Sequence, residues 1–337
     1  MTTPPGLPQD AGCAPPDPAM PRRLFALLLS LLLVASPVLA SPERADLLLR
    51  QGDPGAAQVI EALAKARPGD PDVGVLQVRQ LLLKRDVKRA VELAEARVEA
   101  SPGHAASHYW LGMAYGARIG QVGTFAKATM APRIRAAFER AVELDPGLHD
   151  ARFALMEYYL GAPAIVGGSE SKAKAQAQEL MRRDPPRGRF AQARVAMHEG
   201  NDAQARSHVL AAYAARPGEP MFRMAAGVLH QQAGEWDQAF AVFGAWTAEE
   251  PWASNAWYQL GRTAVLSGQR TGEGIAALER FLGLNPQPGA PEHKHAWYRL
   301  GQLHAQAGDK AAARKAFDQA LKLDPKFAEP KAELAKL

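Results

Sequence analysis

Small and helix-breaking residues recur in phase along this chain. The clearest window is 297–325: Trp297, Leu300-Gly301, His304, Gly308, Ala313, Phe317, Ala320 and Pro325. The same offsets return upstream with a period of about 34 residues. Window 257–286 has Trp257, Leu260-Gly261, Gly268, Gly274, Leu278 and Pro286, and 223–251 has Gly227, Gly234, Ala239, Phe243 and Pro251. Window 189–217 has Ala193, Gly200, Ala205, Val209, Ala212 and Pro217. Window 149–185 has Leu155, Tyr159, Ala173 and Pro185, and 108–146 has Leu111-Gly112, Tyr115, Phe138, Ala141 and Pro146. Windows 74–102 and 43–68 read as degenerate copies. Each position has a physical task. The glycine lets two helices touch, the alanine and the larger residue pack against that contact, and the proline ends the second helix. Such a unit cannot bury its apolar face alone, so the units must stack.

The spacing W-x2-L-G-x2-(Y)…A-x3-F-x2-A…P, with His304 in place of the tyrosine, resembles the tetratricopeptide repeat. The resemblance covers nearly all of 43–327. It implies an all-α fold, a right-handed α-solenoid of helix-turn-helix repeats. Residues 41–104 are expected to form degenerate first repeats, 105–187 two repeats with inter-helix insertions, and 188–327 regular repeats. The last stretch, 328–337 (AEPKAELAKL), is expected to be a capping helix. The run HYWLG-x-AYG, then AFERAVELDP, then YYL-x-AP-x-x-x-GGS-x-x-KA looks like a set of exported bacterial tetratricopeptide proteins.

Export is also read from the N-terminus. Arg22-Arg23 precede the apolar run LFALLLSLLLV, and Val38-x-Ala40 follows as a small-x-small cleavage site. The run is shorter than the roughly 20 residues of a membrane span. Residues 20–40 are therefore expected to be a signal peptide cleaved near Ala40. The mature chain would then be periplasmic or secreted, with no membrane span; an uncleaved anchor is the alternative. Residues 1–19 are Pro-rich and precede Met20, and are expected to be untranslated or disordered. They hold the one cysteine, Cys13, so the mature chain would have none. The surroundings of the arginine pair are too sparse for a twin-arginine signal.

Composition narrows the function. Of 337 residues, 47% are hydrophobic and 22% charged, as in globular chains. A net charge of +5 without interleaved basic and aromatic blocks gives no reason to expect nucleic acid. Nucleophile elbows, HExxH motifs and cysteine pairs are absent from the sequence, so no catalytic residue and no cofactor is assigned. His104 and His108, and His293 and His295, fall short of the ligand count a zinc site needs, so no metal is assigned.

In such arrays the first helices line a concave groove. The residues after the tryptophan position are Tyr109, Phe153, Phe190, Met224, Tyr258 and Tyr298. Four positions on come Met113, Glu157, Arg194, Val228, Arg262 and Gln302, on the same helix face. Aromatic and Arg side chains dominate binding hot spots, so the two rows predict a groove for a protein or peptide partner. Inter-helix packing is the competing reading for each aromatic. Cochaperones of the family grip a peptide carboxylate with Lys at the first position and Asn at the second. Neither stands here, which argues against that activity. The function expected is an exported binding scaffold, in envelope assembly or maintenance, and not an enzyme. Self-association through the end repeats stays open.

Two consecutive units break the period, within 117–132 (ARIGQVGTFAKATMAP) and 161–172 (GAPAIVGGSESK). Both insertions follow equivalent tyrosines and are expected to be neighbours, forming a small-molecule or anion site as the alternative function. Gly167-Gly168-Ser169 before a helix could hold an anion on backbone N–H groups. The simpler reading is a turn with Ser169 as N-cap.

Overall fold

The computed structural model describes residues 41–285, 287 and 289–337. The expected signal segment, residues 1–19 and Pro286 lie outside the described residues. Those described form helices and turns, with no strand among them. Eight helix pairs are followed by one short helix. They are α1 Pro42–Gln51 with α2 Ala56–Ala66, α3 Pro71–Leu83 with α4 Val87–Ala100, and α5 Ala105–Ile119 with α6 Thr124–Leu144. Then come α7 His149–Gly161 with α8 Glu170–Arg183, α9 Pro185–His198 with α10 Asp202–Ala215, and α11 Pro220–Gln232 with α12 Trp236–Glu249. The last pairs are α13 Ser254–Ser267 with α14 Thr271–Leu282 and α15 His293–Gln306 with α16 Lys310–Leu323, before α17 Ala328–Leu334.

Local chemistry sets the helix ends. The side chains of Ser41, Asp70, Asp86, Ser169, Asp184, Asn201 and Asp309 each accept a bond from a first-turn N–H. Such caps satisfy donors that the helix itself leaves unpaired. Proline opens α1, α3, α9 and α11, where its missing N–H costs nothing. The turn inside a pair needs a left-handed residue. Gly200, Gly234, Gly268 and Gly308 take φ of 73°, 70°, 67° and 81° there.

The inner contact of each pair depends on a missing Cβ. A Cβ on Gly112, Gly227 or Gly301 would fall 2.2–2.4 Å from the ring of Phe138, Phe243 or Phe317. Gly261 meets Leu278 in the same way, at 2.4 Å. The tryptophan position has a second task that the sequence hides. There His108, Arg152, Arg223 and Trp257 each donate an N–H to the carbonyl of a proline six residues earlier: Pro102, Pro146, Pro217 and Pro251. The residue type changes but the donor is kept, so the carbonyl at the end of the preceding helix stays satisfied.

Each helix packs on the next one in sequence. First helices also pack on first helices, as α1 on α3, α3 on α5, α7 on α9, α11 on α13 and α13 on α15. Second helices of successive pairs make no comparable contact among the described residues. The first helices therefore line the inner, tighter face of the stack. After α14 the connection returns to the first pair, where Gln287 Nε2 donates to the Arg50 carbonyl at 2.9 Å.

Candidate functional site

The inner face carries both predicted rows, but their members differ in access. Tyr109, Met113, Phe153, Met224, Val228 and Tyr298 are half-buried, with part of each side chain open to solvent. Phe190 and Tyr258 are buried instead. Phe190 is stacked between Phe153 and Phe222, with centroids 5.8 and 5.2 Å away, and Tyr258 lies 5.4 Å from Phe281. These two hold helices together and offer little to a partner. Tyr298 packs on Phe317 and Phe327, which places it against the capping helix. Burial, then the charge of Asp150, pushes the Tyr109 hydroxyl up to about 12, so it stays a neutral donor.

The polar row is also uneven. Arg194 binds Glu157 through two bonds of 2.8 and 2.9 Å, so these two residues neutralise each other across adjacent first helices. Arg262 has no carboxylate beside it among the described residues. It donates to Gln231 and, at 3.5 Å, to Gln259. Gln302 is tied to Tyr298 at 3.0 Å and accepts from Arg299 at 2.9 Å. Arg299 is a polar groove residue that counting from the tryptophan position missed, because it stands one residue beyond the aromatic row.

A cavity of about 650 Å³ lies where the 287–290 connection meets the first three pairs. Its walls include Arg50, Arg79, Arg85, Trp110, Met113 and Gln287. Arg79 covers the Trp110 ring at 5.1 Å, and both Arg79 and Arg50 pair with Asp46. No local sequence signal pointed to this cavity, since Arg50 and Gln287 are far apart in the chain.

Residues 263–326 match the sequence profile described as the tetratricopeptide repeat. The match falls on the last two helix pairs, and the array as a whole has the fold of a tetratricopeptide-like solenoid. Among solved structures, the hetero-tetramer of Cut9 and Hcn1 from the APC/C is 16% identical with a TM-score of 0.53. That likeness covers 94% of this chain and 58% of that one, and it concerns the fold. TTC0263, a thermophilic TPR protein of Thermus thermophilus, is 20% identical over 60% of this chain and 94% of its own, with a TM-score of 0.45. The pilF protein of Pseudomonas aeruginosa is 14% identical over 69% of this chain and 97% of its own, with a TM-score of 0.48. No curated protein sequence matches this chain.

In the two units that break the period, the insertions take different forms. The first is mostly helix, not loop: α6 begins at Thr124, carries Pro132 inside it, and exposes its first turns. The second is a compact turn around a 3-10 segment, Ala164–Val166, that packs on α6. Phe125 and Ile165 project into solvent, 93% and 95% exposed. The N–H groups of Gly167, Gly168 and Ser169 already donate to the carbonyls of Ala164, Pro163 and Tyr159. Ser169 Oγ caps α8 by accepting from Lys172 N at 3.3 Å. Gly167 is required by its φ of 98° and by Arg135 lying against it, and Gly168 by the Ala162 carbonyl.

The tyrosines before the insertions share one device. Tyr115 donates to Glu95 at 2.6 Å, and Tyr159 donates to Glu139 at 2.7 Å. Arg133 lies over the Tyr115 ring and Lys172 over the Tyr159 ring. Burial and then the carboxylate raise both phenols well above the ordinary value. His104 is held by Ser107 and Asp72, while His293 and His295 stack edge-on against Phe281 and Phe327. No group of three ligand-type side chains suited to a metal occurs among the described residues, nor does a helix long and apolar enough to cross a membrane.

Proposed function

We propose that this chain is an exported scaffold that binds a protein or peptide partner along its inner face and serves envelope assembly or maintenance. One observation carries the reading. Tyr109, Met113, Phe153, Met224 and Val228 form a half-buried apolar row on the first helices, each with part of its side chain open to solvent. Apolar and aromatic anchors on a rigid concave face suit an extended or helical segment, because the face is already organised and little ordering cost remains. Helix packing alone explains Phe190 and Tyr258, so they are set aside as contact residues. Arg194 is set aside as well, since Glu157 occupies its fork. Export rests on residues 20–40, whose basic, apolar and small-residue segments have the order of a signal peptide.

The test is peptide selection on arrays with the purified chain and with a Tyr109→Ala/Phe153→Ala/Met224→Ala variant. The wild type is expected to enrich a definable sequence class, and the variant to lose it by about tenfold or more at an unchanged fold. Equal enrichment by both proteins, with matching thermal unfolding, removes the groove as the binding face. Light scattering on the same samples reads self-association.

A further inference from the structure

The groove treats its arginines in two ways. Arg194 faces Glu157, and the supporting Arg206, Arg216 and Arg223 each face a carboxylate on a neighbouring element. Arg262 on α13 and Arg299 on α15 have none within ion-pairing distance among the described residues. Both are half-buried, on first helices that pack against each other. Each is positioned by neutral amides. Gln231 is buried, and its Nε2 donates to Thr263 Oγ1 at 2.8 Å and to the Gln259 carbonyl at 3.2 Å. That fixes the amide with Oε1 toward Arg262 Nη1. On α15, Gln302 Nε2 donates to Tyr298, which turns its Oε1 toward Arg299 Nη1 at 2.9 Å. The Nε and Nη2 groups of both arginines have no protein acceptor among the described residues.

Such an arrangement is costly in the free protein. A cation half out of water gains little from neutral acceptors, and a second cation nearby adds repulsion. Burial, and after it the charge of Arg299, lowers the Arg262 guanidinium below its ordinary value. An oxyanion between the two forks offsets both costs, and guanidinium geometry matches carboxylate or phosphate through paired N–H donors.

We propose that Arg262 and Arg299, oriented by Gln231 and Gln302, form an anion subsite in the groove that takes an oxyanion-bearing side chain of a bound peptide. The peptide part rests on the function proposed above; the anion part stands on the two arginines alone.

The experiment has two arms. The first reads thermal unfolding of the chain in chloride and in inorganic phosphate at matched ionic strength. Phosphate is expected to raise Tm by about 2 °C or more in the wild type and to leave an R262Q/R299Q variant unmoved. The second uses immobilised peptides of one apolar frame with a central Glu-Glu, phosphoserine or Gln-Gln. The wild type is expected to hold one or both acidic forms about tenfold more tightly than the Gln-Gln form, and which one it prefers tells carboxylate from phosphate. The variant is expected to hold all three alike. An equal phosphate response in both proteins, or an acidic preference that survives in the variant, overturns the subsite. A phosphate response confined to the wild type, with no peptide bound by either protein, keeps the subsite and removes the peptide groove. Peptides bound without acidic preference do the reverse.

Discussion

Alanine in place of Gly301 tests whether close approach of paired helices sets this repeat. Gly301 lies inside α15, where Ala is the better helix former by about 1 kcal/mol. Its Cβ would stand 2.4 Å from Phe317 Cε1 and 2.5 Å from Cδ1. Carbon atoms rest at about 3.5 Å or more, so ring or helix must retreat by about 1 Å. Phe317 is fully buried and has no open space to swing into. Overpacking of this kind costs about 1–3 kcal/mol, enough to exceed the propensity gain. The expected net loss is up to about 2 kcal/mol once that gain is subtracted. Gly116 supplies the opposite case inside the same protein. It is an exposed helical residue of α5, and its Cβ would meet nothing within 4 Å. Gly116→Ala is expected to stabilise by about 0.5–1 kcal/mol. Urea unfolding followed by circular dichroism reads both signs. Amide exchange by mass spectrometry should confine the Gly301→Ala loss to α15, α16 and their neighbours, because repeat arrays lose stability locally. Shifts of the same sign in the two variants would refute the reasoning.

Asp184 couples two repeats, capping α9 and binding Arg216 at 2.7 and 3.1 Å. Burial raises its pKa, but Arg216 and the capped amide outweigh burial and hold the carboxyl below the usual range. A depressed folded pKa contributes stability above the unfolded value of about 3.9 that is lost as pH falls through the folded one. Asn caps as well as Asp, so Asp184→Asn should lower Tm at neutral pH only through the lost Arg216 ion pair, and flatten the acid limb of a Tm-against-pH curve. Alkaline absorbance titration should show Tyr115 and Tyr159 ionising last, and Glu95→Gln should bring Tyr115 forward while leaving Tyr159 in place. Phe125→Ser and Ile165→Ser should each change unfolding free energy by no more than about 0.5 kcal/mol, since neither side chain is packed.

The fold was legible because its deciding contacts are short-range. Gly301 and Phe317 belong to one unit, the same offset separates Gly227 from Phe243, and Gly261 meets Leu278 one residue further on within its own unit. Counting from the tryptophan position also brought Tyr109, Met113, Phe153 and Met224 to the inner face. It could not tell an open aromatic from one sealed by the adjacent unit, which is the fate of Phe190 under Phe222. The Glu157–Arg194 pair was within reach, since both hold the same position in consecutive units, but reading the row residue by residue hid it. The glycines at 167 and 168 left two readings open, because a turn that uses its own N–H groups has the same composition as one that offers them; the simpler one, with Ser169 as N-cap, is the arrangement seen. Closure of Gln287 on Arg50 left no trace, because no local pattern encodes a contact between the first pair and the connection before the last.

The inner face is thus graded along the array. Its first units present Tyr109, Met113 and Phe153 with Arg79 laid on Trp110, its middle pairs Arg194 with Glu157, and its last units present Arg262 and Arg299 unpaired. Repeat symmetry alone would let a segment lie in either direction or slide by one unit. A slide by one unit moves an acidic group from Arg262 and Arg299 either toward Val228, which offers it no donor, or past the last first-helix. If the groove holds an acidic segment as proposed, the gradient favours one direction and register, by an attraction available at one place and missing one unit away. Glu157→Gln should free the Arg194 fork, so an acidic peptide held by the groove would gain a second register, visible as biphasic dissociation where the wild type shows one phase.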